Sequence, residues 1–484
     1  MTSTVPSARD ARSRTRRPRR KPVKAATIWL HRWLSLVIGA LLVVVTTSGA
    51  ILVYEPEIVH WDEGSQLRSP TPGLRAGQPA VPLPDAVGRV AAYDEDFEPS
   101  TVHYSFDTIV AESYESGRRV TLDPQSGEVI GDFDINEHHG TVSWFMALND
   151  NIHLCMLSCE EYPGYQAWLV KEVPGSGWLG FDGAKVTWGG LLLGVTGLLL
   201  MFMAVSGVWL WWPTIKRWRH GFRLRTRKGR YARDYDLHQV IGMAAVPFLL
   251  IWGLTGAGFE FGWVANGWYA ATPGEKPEES TFVSQEPDLD KGEKPPPDIG
   301  AAAAMASAQR LAGDEEITGI EFPVPVKDDP TSTYLLYYAD GFDPWVYGGY
   351  AGDTGIGVDR YSGEAEVTYA GPGRPMASQL WEDWNYPVHA GIVVGPWWRI
   401  VWFVLGMVPL VLLITGLSTW LFKRKVRKLK RRAVKAQMSP TQPNPERVVD
   451  LDDDGNEIEV PVEELPGLQT DLVHAESAPP GSSA

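Results

Sequence analysis

The sequence predicts an α-helical membrane protein with four transmembrane helices, two extracytoplasmic α+β domains and an internal twofold repeat. Three observations predict it. Apolar residues concentrate in four blocks, at about 33–54, 186–212, 237–259 and 397–422, although the mean hydropathy of the chain is only −0.15. Each block is long enough to cross a hydrocarbon core of about 30 Å. Basic residues cluster in segments beside these blocks, and two long acidic segments separate them. A six-residue pattern, Asp-x-x-Ser-Gly-Glu, occurs at Asp123 and again at Asp359, at the same place in the two long segments.

Charge sets the topology. The 484 residues carry 44 Lys and Arg against 59 Asp and Glu, a net charge of −15. About 10 of the basic residues lie in 1–32, about 9 in 213–236 and about 9 in 423–435, with only about 7 in each of 55–185 and 260–388. With four spans the three basic segments share one side, and the positive-inside rule makes that side the cytoplasm. Both termini are then cytoplasmic and both long segments lie outside. Topology and anionic lipid account for the basic stretches, so membrane lipid is an expected partner and nucleic acid is not. The first block is too long for a cleavable signal, and Leu52-Val53-Tyr54-Glu55 offers no small-residue cleavage site. Tryptophans at block ends (Trp29, Trp33, Trp211, Trp212, Trp397, Trp398, Trp420) read as interfacial anchors.

In chain order, residues 1–24 are rich in Arg, Pro and Ser and read as a disordered cytoplasmic arm. The first span occupies 25–54. The segment 55–185 opens with a Pro-rich linker, then a short helix from Pro84 to Tyr93 and β-branched runs around the turn at Asp123-Pro124-Gln125-Ser126-Gly127-Glu128. An apolar helix from Trp144 to Leu154 follows, and then an insertion carrying Cys155 and Cys159, the only cysteines. Outside the membrane this pair reads as a small-loop disulfide, with a redox or metal pair as the other reading. The second span (186–212), a basic loop (213–236) and the third span (237–259) come next. The segment 260–388 repeats the pattern, with a linker, a helix from Ile299 to Leu311 and strand-like runs at 316–324 and 333–338. The fourth span is placed in 389–422. The tail, 423–484, is basic and then acidic, and reads as disordered.

The histidines carry the chemistry. His31 and His238 each begin a span, and in both helices a glycine follows at +18, about five turns or roughly 27 Å along the same face. His153 and His389 precede the two spans that run inward. The repeat relates His31 to His238 and His153 to His389, giving two pairs at two depths. That is the arrangement needed for two bis-histidine haems of the b type. Haem iron takes neutral imidazole as an axial ligand, and glycine beside a ligand clears room for the ring. His138 or His139 could replace His153, which stands about 30 residues from its span. Arg32, Arg233 and Arg399 are candidates to pair with propionates. The bland alternative is an interfacial polar residue at each helix end. His60, His103, His220 and His474 read as surface or loop residues. The Thr/Ser-Gly pairs at span ends read mainly as packing or helix-end devices.

Other chemistries are excluded by their missing signatures. There is no P-loop, no G-x-G-x-x-G after a strand, no H-E-x-x-H and no serine elbow. Four spans with no charge deep in any of them argue against a transporter. No cytoplasmic part is large enough for a flavin or nicotinamide, so an electron donor would be external, a quinol or a separate reductase.

The Leu30-His31-Arg32-Trp33 and Leu237-His238 starts, the two Asp-x-x-Ser-Gly-Glu turns and the span-end Thr/Ser-Gly-x-x-x-Trp pattern resemble the PepSY-associated transmembrane-helix family, over about 25–435. The resemblance implies that the two outer domains are PepSY-like. The family is similar to iron-regulated proteins of the bacterial inner membrane, some of them haem-containing ferric-siderophore reductases. It therefore implies a multi-pass protein of the cytoplasmic membrane that passes electrons outward to ferric-siderophore substrates. The alternative reading is a non-enzymatic membrane protein whose outer domains bind a peptide, protease or other partner. The Cys-bearing insertion and the long acidic tail depart from the family pattern.

Overall fold

The computed structural model describes residues 22–63, 81–105, 108–134, 140–212, 221–276, 280–286, 296–338, 354–369, 374–382, 384–392, 394, 396–437, 447–451 and 457–461. Helices α1 (Pro22–Val37), α2 (Gly39–Leu52), α3 (Glu55–Glu63) and α4 (Leu83–Tyr93) lead into strands β1 (Thr101–Ser105), β2 (Thr108–Glu112), β3 (Arg118–Leu122) and β4 (Val129–Asp134). Helices α5 (Thr141–Leu154), α6 (Trp188–Trp211), α7 (Gly229–Glu260), α8 (Gly262–Ala271) and α9 (Gly300–Ala312) follow. Then come β5 (Ile317–Glu321), β6 (Tyr334–Tyr338), β7 (Thr354–Val358) and β8 (Ala365–Tyr369). Helices α10 (Met376–Glu382), α11 (Asn385–Ala390), α12 (Pro396–Gly406) and α13 (Val408–Gln437), and strands β9 (Arg447–Leu451) and β10 (Glu457–Pro461), complete the chain.

Three helical stretches, Trp188–Trp211, Gly229–Glu260 and Trp397–Arg432, are long and apolar enough to cross a membrane. A fourth exists if α1 and α2 count as one span, bent by 63°. Ile38 and Gly39 sit at the break, where a residue without a side chain lets the helix change direction. The stretch that contains α7 keeps Pro247 in its interior, which membrane helices tolerate because neighbouring groups re-satisfy the freed carbonyl. Two boundaries differ from the hydropathy blocks. The α7 helix begins at Gly229 rather than near 237, because Arg230, Tyr231, Arg233 and Asp234 are acceptable helix residues on the polar side of a span. His389 lies on α11, a helix of 6 residues separate from the last span.

The two long segments do not form two separate domains. Their strands join one antiparallel sheet in the order β4-β3-β2-β1-β5-β6-β7-β8. The junction is β1 with β5, where Thr101, Val102 and His103 face Glu321, Ile320 and Gly319. A single apolar core runs under both halves: Leu83, Ala86 and Val90 of α4 and Ala304, Ala308 and Ala312 of α9 pack against Val102, Ile109, Val120, Ile320, Leu336, Ile356 and Val358. Pairing β1 with β5 removes two exposed strand edges. The tail also differs from a disordered expectation: β9 and β10 pair antiparallel, Arg447 opposite Pro461 and Leu451 opposite Glu457. The arm 1–21 lies outside the described residues, and Pro22 to Lys24 already belong to α1.

The repeated turn is the same structure twice. The N–H groups of Gln125 and Ser126 donate to Asp123 Oδ1 at 2.9 and 2.6 Å, and those of Tyr361 and Ser362 donate to Asp359 Oδ1, both at 2.7 Å. Gly127 and Gly363 take φ of +69° and +72°, the left-handed region that favours glycine. Asp359 is 2 % exposed and also accepts from the Gln285 N–H at 2.6 Å. Burial alone would raise its carboxyl, but the backbone N–H donors outweigh burial and hold it below the usual range. Asp359→Ala is therefore expected to cost about 2–3 kcal/mol in a chemical-denaturation series in detergent, since charged hydrogen bonds are lost at a buried turn. An unfolded Asp titrates near about 3.9. The contribution of Asp359 is thus fully present above that pH and lost as the pH falls through the depressed folded value, so the variant and the parent should converge in stability in acid. By contrast, a Cβ at Gly88 in α4 meets nothing within 4 Å. Gly88→Ala should stabilise by about 0.5–1 kcal/mol in the same series.

Candidate functional site

The chain divides into two units, one of Met1–Ala40, Phe202–Val246 and Val411–Ala484, the other of Leu41–Met201 and Pro247–Leu410. Each holds one histidine pair.

The first unit holds His31 on α1 and His238 on α7, close enough to interact electrostatically. His31 Nδ1 lies 2.7 Å from Ser206 Oγ on α6. The Ser206 hydroxyl also stands 3.2 Å from the Met203 carbonyl, to which it can donate. His238 Nδ1 lies 3.1 Å from both the Leu412 carbonyl and Thr415 Oγ1 on α13. A carbonyl only accepts, so this Nδ1 carries the hydrogen. The Thr415 hydroxyl likewise donates to Val411 O at 2.8 Å. Next to each hydroxyl stands a glycine: a Cβ at Gly207 would lie 3.8 Å from His31 Cε1, and one at Gly416 3.3 Å from His238 Cε1.

The second unit holds His153 near the end of α5 and His389 on α11, with ring centres 6.1 Å apart and planes inclined by 44°. His153 Nδ1 donates to Val45 O at 2.8 Å, with Ser48 Oγ at 3.3 Å. Asn149, one turn earlier on the same face of α5, donates to Ser48 O at 3.1 Å and ties α5 to α2. His389 Nδ1 lies 2.7 Å from Thr255 Oγ1. The same hydroxyl stands 2.8 Å from Ile251 O, to which it can donate. A Cβ at Gly49 would come within 2.3 Å of His153 Cε1, and one at Gly256 within 3.7 Å of His389 Cε1.

At His153 and His238 a carbonyl acceptor puts the hydrogen on Nδ1 and leaves a lone pair on Nε2, and at His31 and His389 Nδ1 is held by a hydroxyl, which suits the same tautomer. No hydrogen bond among the described residues engages an Nε2 of the four. This is the pattern by which a second partner fixes a metal-binding imidazole and raises its basicity. Among the described residues no group of three or more His, Cys, Asp or Glu could hold a bare metal ion. Paired imidazoles with glycines against them instead fit a macrocyclic iron, whose ring supplies the other ligands.

The arginines divide. Arg32 has a buried Nε with no hydrogen-bond partner among the described residues, and its guanidinium lies 5.6 Å from the centre of the Trp33 ring. That orphan donor suits a propionate. Arg233 is half-exposed and pairs with Asp234 at 3.2 Å. Arg399 is 5 % exposed and is engaged elsewhere, by both oxygens of Glu57, the Val53 carbonyl and the Tyr54 ring.

Several sequence expectations change here. The glycine at +18 does not serve the histidine of its own helix: Gly49 faces His153, and Gly256 faces His389. The four Ser/Thr-Gly dipeptides, read as packing devices, are the imidazole seats themselves. The signal in the sequence is positional: Ser48-Gly49, Ser206-Gly207, Thr255-Gly256 and Thr415-Gly416 stand toward the ends of the apolar blocks, unlike Thr196-Gly197 in mid-helix. His103 is on strand β1 and partly buried, where burial, with Arg119 adding, lowers its imidazole to about 4. His138, His139, His220 and His474 lie outside the described residues, and the His60 side chain is not described. Cys155 and Cys159 form a disulfide that closes the turn after α5. The fully buried Asn151 holds this loop, donating to the carbonyls of Cys159, Tyr162 and Pro163. Glu55 on α3 was not anticipated. Burial, and then its hydrogen bond to Asp150 on α5, push its carboxyl up to about 9.

A sequence model described as the PepSY-associated TM region matches residues 28–423. No curated protein matches the chain.

The seat geometry makes a direct prediction. Gly49→Ala drives a methyl into the His153 ring and should cost about 1–3 kcal/mol by overpacking. A thermal-unfolding comparison in detergent checks it, with Gly88→Ala as the reference substitution that gains stability.

Proposed function

The chain belongs to the PepSY-associated transmembrane family, and from its four imidazoles we propose that it is a haem-containing membrane electron-transfer protein, reducing ferric complexes such as ferric siderophores on the outer face of a bacterial cytoplasmic membrane. One observation carries the reading. Four partly buried histidines from different helices each turn Nδ1 to a hydrogen-bond partner on a neighbouring helix and leave Nε2 without one among the described residues. Axial ligands need Nδ1 held in this way and Nε2 free.

In this reading His31 and His238 hold one haem b and His153 and His389 hold another. When bound, the group supplies one-electron exchange at an iron whose two imidazoles stay in place in both oxidation states. The chain does the rest. The hydroxyls and carbonyls at Nδ1 orient each ring, the adjacent glycines keep the approach open, and Arg32, whose buried Nε has no partner among the described residues, would hold a carboxylate of the group. The basic segments on either side of His31 and His238 place that pair toward the cytoplasm by the positive-inside rule. The other pair adjoins the segments that carry the sheet, where an outer acceptor would arrive. The donor is external, a membrane quinol or a separate reductase.

The test is a visible spectrum of the protein purified after expression with ample haem. The reading predicts a Soret band and α/β bands that sharpen on reduction, with two haems per chain. His238→Ala should remove one equivalent and leave the other. A protein without a Soret band under these conditions contradicts the reading.

A further inference from the structure

Three of the four imidazoles are carried by substantial helices: His31 on α1 with 16 residues, His153 on α5 with 14, and His238 on α7 with 32. His389 is different. It stands on α11, 6 residues long, which ends at Gly391 in the left-handed conformation with φ +79°. A helix this short has no independent stability, because its nucleus is never repaid by propagation. Something else must hold His389 if it is to keep a fixed direction.

The structure shows what does. The main-chain carbonyl of His389 accepts two indole N–H groups, from Trp252 at 3.1 Å and from Trp402 at 2.8 Å. Indole N–H is a donor only, so these bonds have one possible sense. Trp252 is one turn before Thr255 on α7, and residues three apart share a helix face. The α7 helix thus grips His389 at both ends, Trp252 at the peptide and Thr255 at the ring, where Oγ1 stands 2.7 Å from Nδ1. Trp402 comes from α12 and is 6 % exposed. Its ring meets Trp252 edge-on at 5.1 Å between centres. The same ring fills the space a Cβ at Gly391 would take, 2.3 Å from Trp402 Cγ. Among the described residues, no side chain donates to the main-chain carbonyl of His31, His153 or His238.

We propose that Trp252 and Trp402 are positioning residues that replace the missing helix under His389, holding its imidazole in register with His153. The proposal rests on the haem reading for its consequence, but the clamp itself is a property of the chain. The two indoles do not touch the iron; they act through the peptide of one ligand. They also make the two sites unequal. The His31–His238 pair takes its rigidity from long helices. The His153–His389 pair takes half of its rigidity from two side chains, so it is the site that single substitutions can loosen without breaking a span.

The experiment compares wild type with Trp252→Phe, Trp402→Phe and the double variant, in detergent, with Trp398→Phe as the control. Trp398 belongs to the same aromatic group, 5.8 Å from the Trp402 ring centre, but gives no hydrogen bond to the carbonyl. In the haem-loaded protein the double variant should convert one of two haems from low-spin to high-spin. Added imidazole should restore the low-spin spectrum, and the other haem should be unchanged. In the haem-free protein the amides around His389 should exchange with solvent up to about tenfold faster per indole removed, as expected for a lost hydrogen bond of ordinary strength. Unchanged spin state and exchange in the double variant would overturn the proposal. So would an equal effect of Trp398→Phe, which would trace the change to aromatic packing. Loss of both haems in the double variant would also count against it, since the clamp serves one site. A wild-type protein with no haem band would fail the haem reading instead, and the exchange measurement on the haem-free chain then decides the clamp alone.

Discussion

The candidate site depends on a hydroxyl or carbonyl of a neighbouring helix that holds each imidazole at Nδ1. In a membrane helix a serine or threonine side chain satisfies itself by donating back to a carbonyl one turn earlier. Ser206, Thr255 and Thr415 do this, as does Ser48 toward Val45 at 2.8 Å. Each hydroxyl oxygen is then free to accept from an imidazole. At His153 and His238 a main-chain carbonyl sets that sense outright. The neighbouring glycines keep the rings close, and at Gly49 a Cβ would come within 2.3 Å of the His153 ring.

Much of this was legible in the sequence, for physical reasons. The spans are visible because a helix in lipid must be apolar around its whole circumference. The histidines stand out because a buried imidazole is costly unless it has partners. The Asp123 and Asp359 turns were readable because an aspartate, a serine and a left-handed glycine each have a fixed task in such a turn. What was not legible is what depends on distant pairing. The β1–β5 junction joins strands separated by two spans, and no local pattern announces it, so one sheet looked like two domains. The partner of each glycine is hidden for the same reason. Spacing along one helix is local and readable, whereas the ring that packs against Gly49 comes from α5. Trp252 and Trp402 read as ordinary apolar residues of a membrane protein until their N–H groups are seen to meet at one carbonyl.

The two histidine pairs differ in how they are supported. The pair on α1 and α7 borrows the stiffness of long helices. The pair on α5 and α11 sits beside a disulfide loop organised by Asn151, a short helix anchored by two indoles, and the Glu55–Asp150 carboxyl pair. Such local devices are what a site needs when it adjoins an irregular segment rather than the middle of a bundle. The Cys-bearing insertion closes the chain immediately after α5, which carries His153.

The most direct test of the account is haem stoichiometry in paired histidine variants. If His31 with His238 and His153 with His389 are two independent sites, removing both members of one pair costs no more than removing either alone, while removing one from each pair costs both. The account predicts one haem per chain in His31→Ala/His238→Ala and in His153→Ala/His389→Ala. It predicts none in His31→Ala/His153→Ala. One haem in that last variant, or none in either of the first two with the fold intact by circular dichroism, would contradict the pairing.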